Sequence, residues 1–259
     1  MKIKSLPVEA QNRAKAVDQS ADFELFSTMR YDPKLASITR HIPIVLQESF
    51  DEKFFLANLH YQRLKQGARL LEWPKCVESF TQQRFFEALA TITGDEPLAV
   101  RVALNKDGDI SITTRAVAQR QNLFIGVAGK SNICPPYRVF IEETPVPSDA
   151  LIPLKTNQRQ IYDQIRQRHN LKLGDPIEVL IQNEKGLIVE GTVCSVAVMV
   201  GEKWVCPRLE QGGVSSLMRS LLLDLKYIEE GEIPRSSLHT GQKVMLFNGV
   251  IGTVSGIIE

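Results

Sequence analysis

The stretch from Gly186 to Leu225 constrains the fold most, because it passes from apolar strands through a glycine-rich turn into a helix. The apolar, β-branched run Val193–Val200 predicts a buried strand. Gly212 and Gly213 then precede a helix whose apolar residues recur at the helical period. Free backbone N–H groups and the helix dipole make such a helix start a candidate anion site. The glycine spacing fits neither the P-loop nor the dinucleotide fingerprint, so a turn with a serine cap is the plain alternative.

The composition is ordinary for a globular protein. The chain has 259 residues, enough for one large or two medium domains, and 43% of them are hydrophobic. The net charge of +1 gives no electrostatic case for binding nucleic acid or an anionic membrane. No apolar run approaches the roughly 20 residues that span a bilayer, and the N-terminus lacks an apolar signal core, so we expect a cytoplasmic protein. Widely separated cysteines predict reduced core thiols and no metal site: Cys76, Cys134, Cys194 and Cys206.

Hydrophobic periodicity predicts the main elements of the chain. Helices are expected at about 51–71, 75–93 and 156–170, and after Gly213. Strands are expected at 23–30, 99–104, 110–114, 123–127, 137–141, 177–181, 186–191, 193–200, 204–206 and 243–247, whereas 251–258 leaves strand and helix open. Asn105–Gly108 is a strong turn signal and predicts a hairpin. Three prolines make residues 144–153 the best candidate for a linker.

The local sequence pattern alone does not assign a function to individual charged residues, because each can be an ordinary surface charge. Arg30 ends a strand and could meet a substrate carboxylate, but such arginines more often form surface ion pairs. Arg63 is typical of a solvated cation on a helix. Lys155 stands where the linker meets a helix, which makes it a candidate for a Schiff base. Most of the 31 lysines and arginines are nevertheless expected to be solvated.

The order of the motifs is more specific than any one of them. An arginine lies in HYQRL, a lysine in PLKTNQR and an acid in GLIVEG, and PRLEQGGVSSLMR and LFNGVIG follow. This order resembles the pyridoxal-phosphate enzymes of fold type IV, a group that holds branched-chain aminotransferases, D-amino-acid aminotransferases and aminodeoxychorismate lyases. Within the group the chain is most similar to the fungal aminodeoxychorismate lyases, over about residues 23–259.

The resemblance implies a role for each matching residue. Lys155 matches the catalytic lysine that carries the pyridoxal phosphate. Glu190 matches the acid that pairs with the pyridine nitrogen and keeps it protonated, which makes the ring an electron sink. The implied contacts to the cofactor phosphate are the guanidinium of Arg63, the helix-start N–H groups of Val214 and Ser215, and Gly249.

Two positions bear on the choice within the group. Arg159 stands four residues after Lys155, as in the lyases, where the aminotransferases favour tyrosine. Arg159 and Arg30 are therefore the candidates for binding the substrate carboxylates. Ser195 departs from the pattern, because the group usually has asparagine there.

The resemblance also implies an architecture and a reaction. We expect a mixed α/β (α+β) fold with an N-terminal domain at 1–143, a linker at 144–154 and a cofactor-binding domain at 155–259, with the cofactor in the cleft between the domains. The expected substrate is 4-amino-4-deoxychorismate, which would yield 4-aminobenzoate and pyruvate in folate biosynthesis. A homodimer is expected. The alternatives are a branched-chain or D-amino-acid aminotransferase and a cofactor-free binding protein on the same fold.

Overall fold

The structure is a computed structural model that describes residues 5–20, 22–40, 52–127 and 135–259. These residues form two compact units. Unit 1 consists of Ala14–Leu123 and Leu154–Gln158, and unit 2 of Ser5–Arg13, Phe124–Pro153 and Arg159–Glu259. None of the helices within the described ranges is both long and apolar enough to span a bilayer.

Helices and strands follow one another along the chain. The helices are α1 (Val8–Lys15), α2 (Leu35–Thr39), α3 (Ala57–Leu70), α4 (Pro74–Ser79), α5 (Gln82–Ala90), α6 (Gln160–Arg168) and α7 (Leu217–Asp224). The strands are β1 (Leu25–Tyr31), β2 (Leu98–Leu104), β3 (Ile110–Ala116), β4 (Tyr137–Ile141), β5 (Ile177–Gln182), β6 (Ile188–Gly191), β7 (Ser195–Val200), β8 (Lys203–Pro207), β9 (Glu229–Gly231), β10 (Lys243–Asn248) and β11 (Gly252–Ile258).

Unit 1 is built on an antiparallel sheet with the strand order β1-β2-β3. The predicted hairpin is confirmed, with Leu104 of β2 opposite Ile110 of β3. Its turn forms because the side chain of Asn105 accepts hydrogen bonds from the N–H groups of Asp107 and Asp109 at 3.0 and 2.9 Å. The strand predicted at 23–30 is confirmed as β1, which pairs with β2 along its whole length.

Helix α3 packs against β1, and a glycine sets how closely. A Cβ atom at Gly67 would lie 2.9 Å from Cδ1 of Leu25, so a larger residue would require the Leu25 side chain to shift. Ser27 follows Leu25 by two residues and therefore faces the same side of the strand. The close packing brings His60 and Arg63 of α3 into hydrogen-bonding contact with Ser27.

The helix predicted at 75–93 is wrong as a single element, because the chain breaks it into α4 and α5. Phe80 leaves the helical conformation with ψ at 87°, and Thr81 begins a new helix by accepting a hydrogen bond from the N–H of Arg84 at 3.2 Å. The helix predicted at about 51–71 is observed only from Ala57, as α3; residues 52–56 form turns and a bridge of Phe54 with Tyr31, because Leu56 has a left-handed backbone conformation at φ 59°. Residue 51 lies outside the described part of the chain.

Unit 2 is built on a mixed sheet with the strand order β6-β5-β4-β11-β10-β7-β8-β9. Strand β5 lies inside this sheet and is covered on both faces, as its continuous apolar run requires. On one face Val179 packs in a cluster with Tyr162 of α6. On the other face Leu180 packs in a cluster with Leu246 of β10. This packing fixes α6 and the neighbouring strand β6, which carry candidate site residues.

Two further expectations are corrected. The strand predicted at 123–127 is wrong, since Phe124 forms only an isolated bridge with Thr253. The helix expected from about residue 156 begins later, at Gln160, because Asn157 is held by β1-side contacts instead: its N–H donates to the Glu24 carbonyl at 3.1 Å and its Oδ1 accepts from Glu24 N–H at 3.0 Å. Residues 251–258, which the pattern left open, form strand β11.

The boundaries of the two compact units differ from those of the domains expected at 1–143 and 155–259. Residues 124–153, which include β4 and most of the expected linker, belong to unit 2. Leu154–Gln158 belong to unit 1, because this segment pairs with the start of β1, where Phe26 N–H donates to the Lys155 carbonyl at 2.8 Å.

The core of unit 2 gives a direct stability test. Leu246 is fully buried in the central strand β10, so Leu246→Ala leaves a cavity and should lower the free energy of unfolding by about 2–5 kcal/mol. Leu173→Ala is the matched control, because Leu173 is 62% exposed and should change stability by less than about 0.5 kcal/mol. Urea unfolding of both variants checks this, and equal losses would contradict the burial described here.

Candidate active site

Arg63 is a half-buried cation that has no paired carboxylate among the described residues. Its Nη2 donates a hydrogen bond to Oγ of Ser27, and its Nε is buried without a hydrogen-bond partner. Among the described residues no Asp or Glu lies within ion-pair distance of the guanidinium. Burial lowers the pKa of Arg63 to about 10. A cation in this setting is suited to an anionic ligand, because burying a charge is costly unless it is paired.

Ser27 links Arg63 to a buried histidine. Ser27 and His60 are 0% and 1% exposed, and Oγ of Ser27 lies 2.5 Å from Nδ1 of His60. Burial, together with the nearby cations of Arg63 and Lys155, holds the pKa of His60 well below its usual range. The imidazole is therefore neutral near pH 7.

Lys155 lies beside the same strand. Its carbonyl pairs with Phe26 N–H, and its Nζ lies 5.0 Å from the centre of the Phe26 ring. The side chain is half-buried. Its charge is close enough to His60 to lower the pKa of that residue. The structure thus brings Lys155 and Arg63, which are 92 residues apart in sequence, into one cationic cluster within unit 1.

Arg30 is already used inside unit 1. It is 1% exposed, its Nη2 lies 2.6 Å from Oδ2 of Asp32, and it also donates to the carbonyl of Ala118 at 3.1 Å. Burial lowers the pKa of Arg30, and the contacts with Asp32 raise it in part. The guanidinium of Arg30 is thus engaged within unit 1, and its role in binding a substrate carboxylate stays a prediction.

Glu190 is the buried carboxylate of unit 2. It is the next-to-last residue of β6, and its Oε1 accepts a hydrogen bond from the hydroxyl of Tyr162 at 2.5 Å. Its Oε2 accepts from Val214 N–H at 3.1 Å. Burial, followed by the charge of Glu190, raises the pKa of Tyr162 well above its usual value, so this hydroxyl stays a donor. A Cβ at Gly213 would lie 3.1 Å from Cδ of Glu190, which explains why a glycine stands in this turn, at φ 90°.

Glu178 is a residue of the site that the sequence interpretation missed. It is 1% exposed, and its carboxylate accepts hydrogen bonds from the turn after Glu190: from the N–H and hydroxyl of Thr192 at 2.8 and 2.7 Å, and from the N–H of Cys194 at 2.8 Å. Val193 N–H adds a longer bond of 3.2 Å. An acid inside the apolar run IEVLIQ was the available signal. By holding this turn, Glu178 fixes the end of the strand that carries Glu190.

The two helix-start N–H groups expected at the phosphate have partners within unit 2. Val214 N–H donates to Glu190, and Ser215 N–H donates to the carbonyl of Pro153 at 2.9 Å. Helix α7 itself is capped by Ser216, whose Oγ accepts from Arg219 N–H at 3.4 Å. The role of Val214 and Ser215 in binding phosphate therefore stays a prediction.

The remaining predicted residues occupy ordered positions in unit 2. Gly249 lies in a turn in which Oδ1 of Asn248 accepts from the N–H groups of Val250 and Ile251 at 2.9 and 3.0 Å. Ser195 begins β7 and is half-buried. Arg159 is half-buried, its guanidinium carbon lies 3.8 Å from the centre of the Tyr162 ring, and its Nη2 donates to the Thr192 carbonyl at 3.0 Å. Arg159 is thus held next to the side chain that binds Glu190.

The cysteines of the described residues agree with the expected reduced thiols: Cys76, Cys194 and Cys206 are buried and free, while Cys134 lies outside the described residues. Burial raises the pKa of Cys76 to about 11, so this thiol is not a nucleophile near pH 7.

The order and type of these residues coincide with a known family. The family model described as amino-transferase class IV matches residues 46–256, most of the chain. The chain belongs to the class IV aminotransferase family. The predicted recognition is confirmed at this level, and so is the mixed α/β fold.

Named relatives of this class IV chain are fungal. It is 36% identical over 137 residues to aminodeoxychorismate lyase of Saccharomyces cerevisiae, which covers 47% of the chain and 37% of that protein. It is 27% identical over 218 residues to a Schizosaccharomyces pombe protein provisionally named aminodeoxychorismate lyase, covering 81% of the chain and 86% of that protein. The chain thus spans little more than a third of the first relative and most of the second.

A solved structure supports the fold of the class IV chain. The pyridoxal-phosphate form of a branched-chain amino acid aminotransferase from Thermobaculum terrenum is similar with a TM-score of 0.62. The match covers 98% of this chain and 80% of that one at 16% identity. At this sequence identity the similarity shows a shared fold and does not identify the reaction.

The contacts of Glu178 predict a specific stability loss. Glu178→Gln places an amide NH₂ where backbone N–H groups need acceptors, so the free energy of unfolding should fall by at least about 2 kcal/mol. Glu184→Gln is the matched control, because Glu184 is exposed, and it should stay within about 0.5 kcal/mol of the parent. Chemical denaturation compares the two, and a loss shared by both variants would refute the assigned contacts.

The neutral state of His60 predicts a pH dependence of stability. In the unfolded chain the histidine takes up a proton near its ordinary pKa of about 6.5, whereas the folded chain holds it neutral. The unfolded state therefore binds more protons as the pH falls below about 6.5, and stability is lost in that direction. Between pH 7 and 5 the parent should lose about 2 kcal/mol more than His60→Gln. His239→Gln, which changes an exposed histidine, should follow the parent curve, and parallel curves for all three proteins would contradict a neutral buried His60.

Proposed function

We propose that this chain is an aminodeoxychorismate lyase, which uses pyridoxal phosphate to convert 4-amino-4-deoxychorismate into 4-aminobenzoate and pyruvate. The observation that carries the choice of reaction is the similarity to two fungal relatives, both of which bear this name. Arg159 at the offset found in the lyases supports the same choice. Because the chain covers only part of the first relative, the activity is a proposal for this chain.

The residues present fit pyridoxal phosphate. Arg63 is a half-buried cation whose buried Nε has no protein partner among the described residues, and a phosphate would satisfy it. Lys155 lies in the same cluster of unit 1 and supplies the amine that would carry the cofactor. Glu190 is a buried carboxylate held in a fixed orientation, which suits a protonated pyridine nitrogen. When bound, pyridoxal phosphate would supply an electron sink for the carbon that bears the substrate amine.

Lys155 would move the protons of the reaction. Its amine would take the proton from the substrate ring carbon that bears the nitrogen. The bond between the ring and the enolpyruvyl oxygen would then break, and the ring would become aromatic. Lys155 would return the proton to the enolpyruvyl carbon, which gives pyruvate and leaves no net change in protons.

The other residues would orient Glu190 and bind the substrate and the cofactor phosphate. Tyr162 and Val214 keep Glu190 in place through their hydrogen bonds. Arg159 is the proposed ligand of a substrate carboxylate, since a guanidinium offers five N–H donors and only one of them is used on the Thr192 carbonyl. Ser215 completes the set as a proposed phosphate contact, together with Gly249.

Assembly and location extend the proposal. A homodimer is proposed because the fold type IV enzymes that the chain resembles usually form homodimers, and unit 2 exposes the separate apolar side chains of Val193, Met199 and Val200. A cytoplasmic location is proposed from the free, buried cysteines.

A branched-chain or D-amino-acid aminotransferase is the second candidate function. The aminotransferase from Thermobaculum terrenum shares the fold in its pyridoxal-phosphate form, and a lysine, an acid and a phosphate-binding arginine would serve both reactions. The two differ in the fate of the amino group, which stays on the aromatic product in the lyase reaction.

Product analysis tests the proposal. Purified protein with pyridoxal phosphate would receive aminodeoxychorismate made in place from chorismate and glutamine. We expect 4-aminobenzoate and pyruvate in equal amounts, and Lys155→Ala should lower the rate by at least about 10³-fold because the base is lost. Lys172→Ala, at an exposed lysine, should retain the parent rate.

Other outcomes decide between the alternatives. Transfer of the amino group to a 2-oxo acid without 4-aminobenzoate would identify an aminotransferase. Neither turnover nor binding of pyridoxal phosphate would identify a binding protein on the same fold.

A further inference from the structure

The hydrogen bonds around Ser27 have a fixed direction. Arginine can only donate, so Oγ of Ser27 accepts from Nη2 of Arg63. The serine hydroxyl proton is then available for Nδ1 of His60, which lies 2.5 Å away. In a neutral imidazole only one nitrogen carries a proton. Since Nδ1 accepts from Ser27, the proton of His60 is on Nε2.

This arrangement leaves two buried donors without an acceptor. Nε2 of His60 and Nε of Arg63 are both buried, and neither has a hydrogen-bond partner among the residues that the structure describes. Leaving a buried donor unsatisfied costs about 1–3 kcal/mol, so two in one cluster call for a common acceptor. His60 precedes Arg63 by three residues and therefore lies on the same side of α3.

We propose that Ser27 and His60 belong to the anion site of unit 1, in which Ser27 orients the guanidinium of Arg63 and His60 supplies a second N–H donor to a phosphate monoester. The inference rests on the proposed function, in which that monoester is the phosphate of pyridoxal phosphate. A tetrahedral phosphate has several terminal oxygens and can accept from a guanidinium and from a separate imidazole at once. Ser27 and His60 are positioning and binding residues here, and neither moves a proton in the reaction.

The strand supports this role of Ser27. Its side chain is completely buried, and its backbone lies in β1 opposite Val102 of β2. The hydroxyl is therefore held on a rigid element, and it reduces the freedom of a long arginine side chain before the ligand arrives. Such preorganisation raises affinity because less conformational entropy is lost on binding.

Comparing the affinities for pyridoxal phosphate and pyridoxal isolates the contribution of the phosphate group to binding. The dissociation constants of both compounds would be measured by equilibrium dialysis on the cofactor-free full chain for the parent, Ser27→Ala, His60→Leu and His60→Gln. Loss of one hydrogen bond to a charged group corresponds to about 10-fold in affinity or more. We expect Ser27→Ala and His60→Leu to bind pyridoxal phosphate at least about 10-fold more weakly and pyridoxal unchanged. His60→Gln, whose amide can still donate, should recover part of the loss.

Ser37→Ala is the matched control, because the Ser37 hydroxyl is exposed and bonds only to the Lys34 carbonyl in its own turn of chain. It should bind both compounds like the parent. Thermal unfolding of each variant identifies any that fail to fold. If His60→Leu does not fold, the affinities of His60→Gln are used in its place.

The inference is overturned if the variants lose affinity for both compounds equally, since the residues then act through packing alone. It is also overturned if the variants bind both compounds like the parent. The same holds if the parent has equal dissociation constants for pyridoxal phosphate and pyridoxal. The outcomes are distinct from those of the proposed function. A parent that binds pyridoxal phosphate with the expected variant pattern but forms no 4-aminobenzoate would refute the lyase proposal and leave this inference standing.

Discussion

The charge of Arg63 is the constraint on which the organisation of unit 1 depends. A guanidinium whose Nε is buried is favoured by a nearby negative charge, and within the described residues Arg63 has only the hydroxyl of Ser27. Two structural features maintain this state: the close packing of α3 on β1 at Gly67, and the return of the segment with Lys155 to the same strand. Under the proposed function, the phosphate of the cofactor would supply the negative charge that Arg63 lacks within unit 1.

Unit 2 contains two buried carboxylates. Glu178 and Glu190 each accept hydrogen bonds from hydroxyl and backbone N–H groups. Glu178 binds the turn that follows Glu190, while Tyr162 and Val214 bind Glu190 itself. These contacts fix the orientation of the Glu190 carboxylate. Under the proposed function, Glu190 would be the partner of the protonated pyridine nitrogen.

The sequence predicted most strands of both units, because their apolar patterns are local. It failed at 75–93, where one turn at Thr81 divides a continuous apolar pattern. It also failed at Asn157, whose side chain accepts a hydrogen bond from the distant Glu24 N–H instead of capping a helix. Local pattern gave no specific role to Arg63, and only the resemblance to a family pointed to phosphate. The contacts of Glu178 could not be predicted, because its donors lie 14–16 residues away and reach it only after the strands fold back.

The covalent position of the cofactor tests the central claim most directly. Purified protein would be incubated with pyridoxal phosphate, reduced with borohydride to fix any cofactor to the lysine that carries it, digested, and mapped by mass spectrometry. The account predicts a single modified lysine, Lys155, at a stoichiometry near one per chain, and loss of that modification in Arg63→Ala at limiting cofactor. Modification spread over exposed lysines, or none at Lys155, would contradict the assignment of the cationic cluster as the cofactor site.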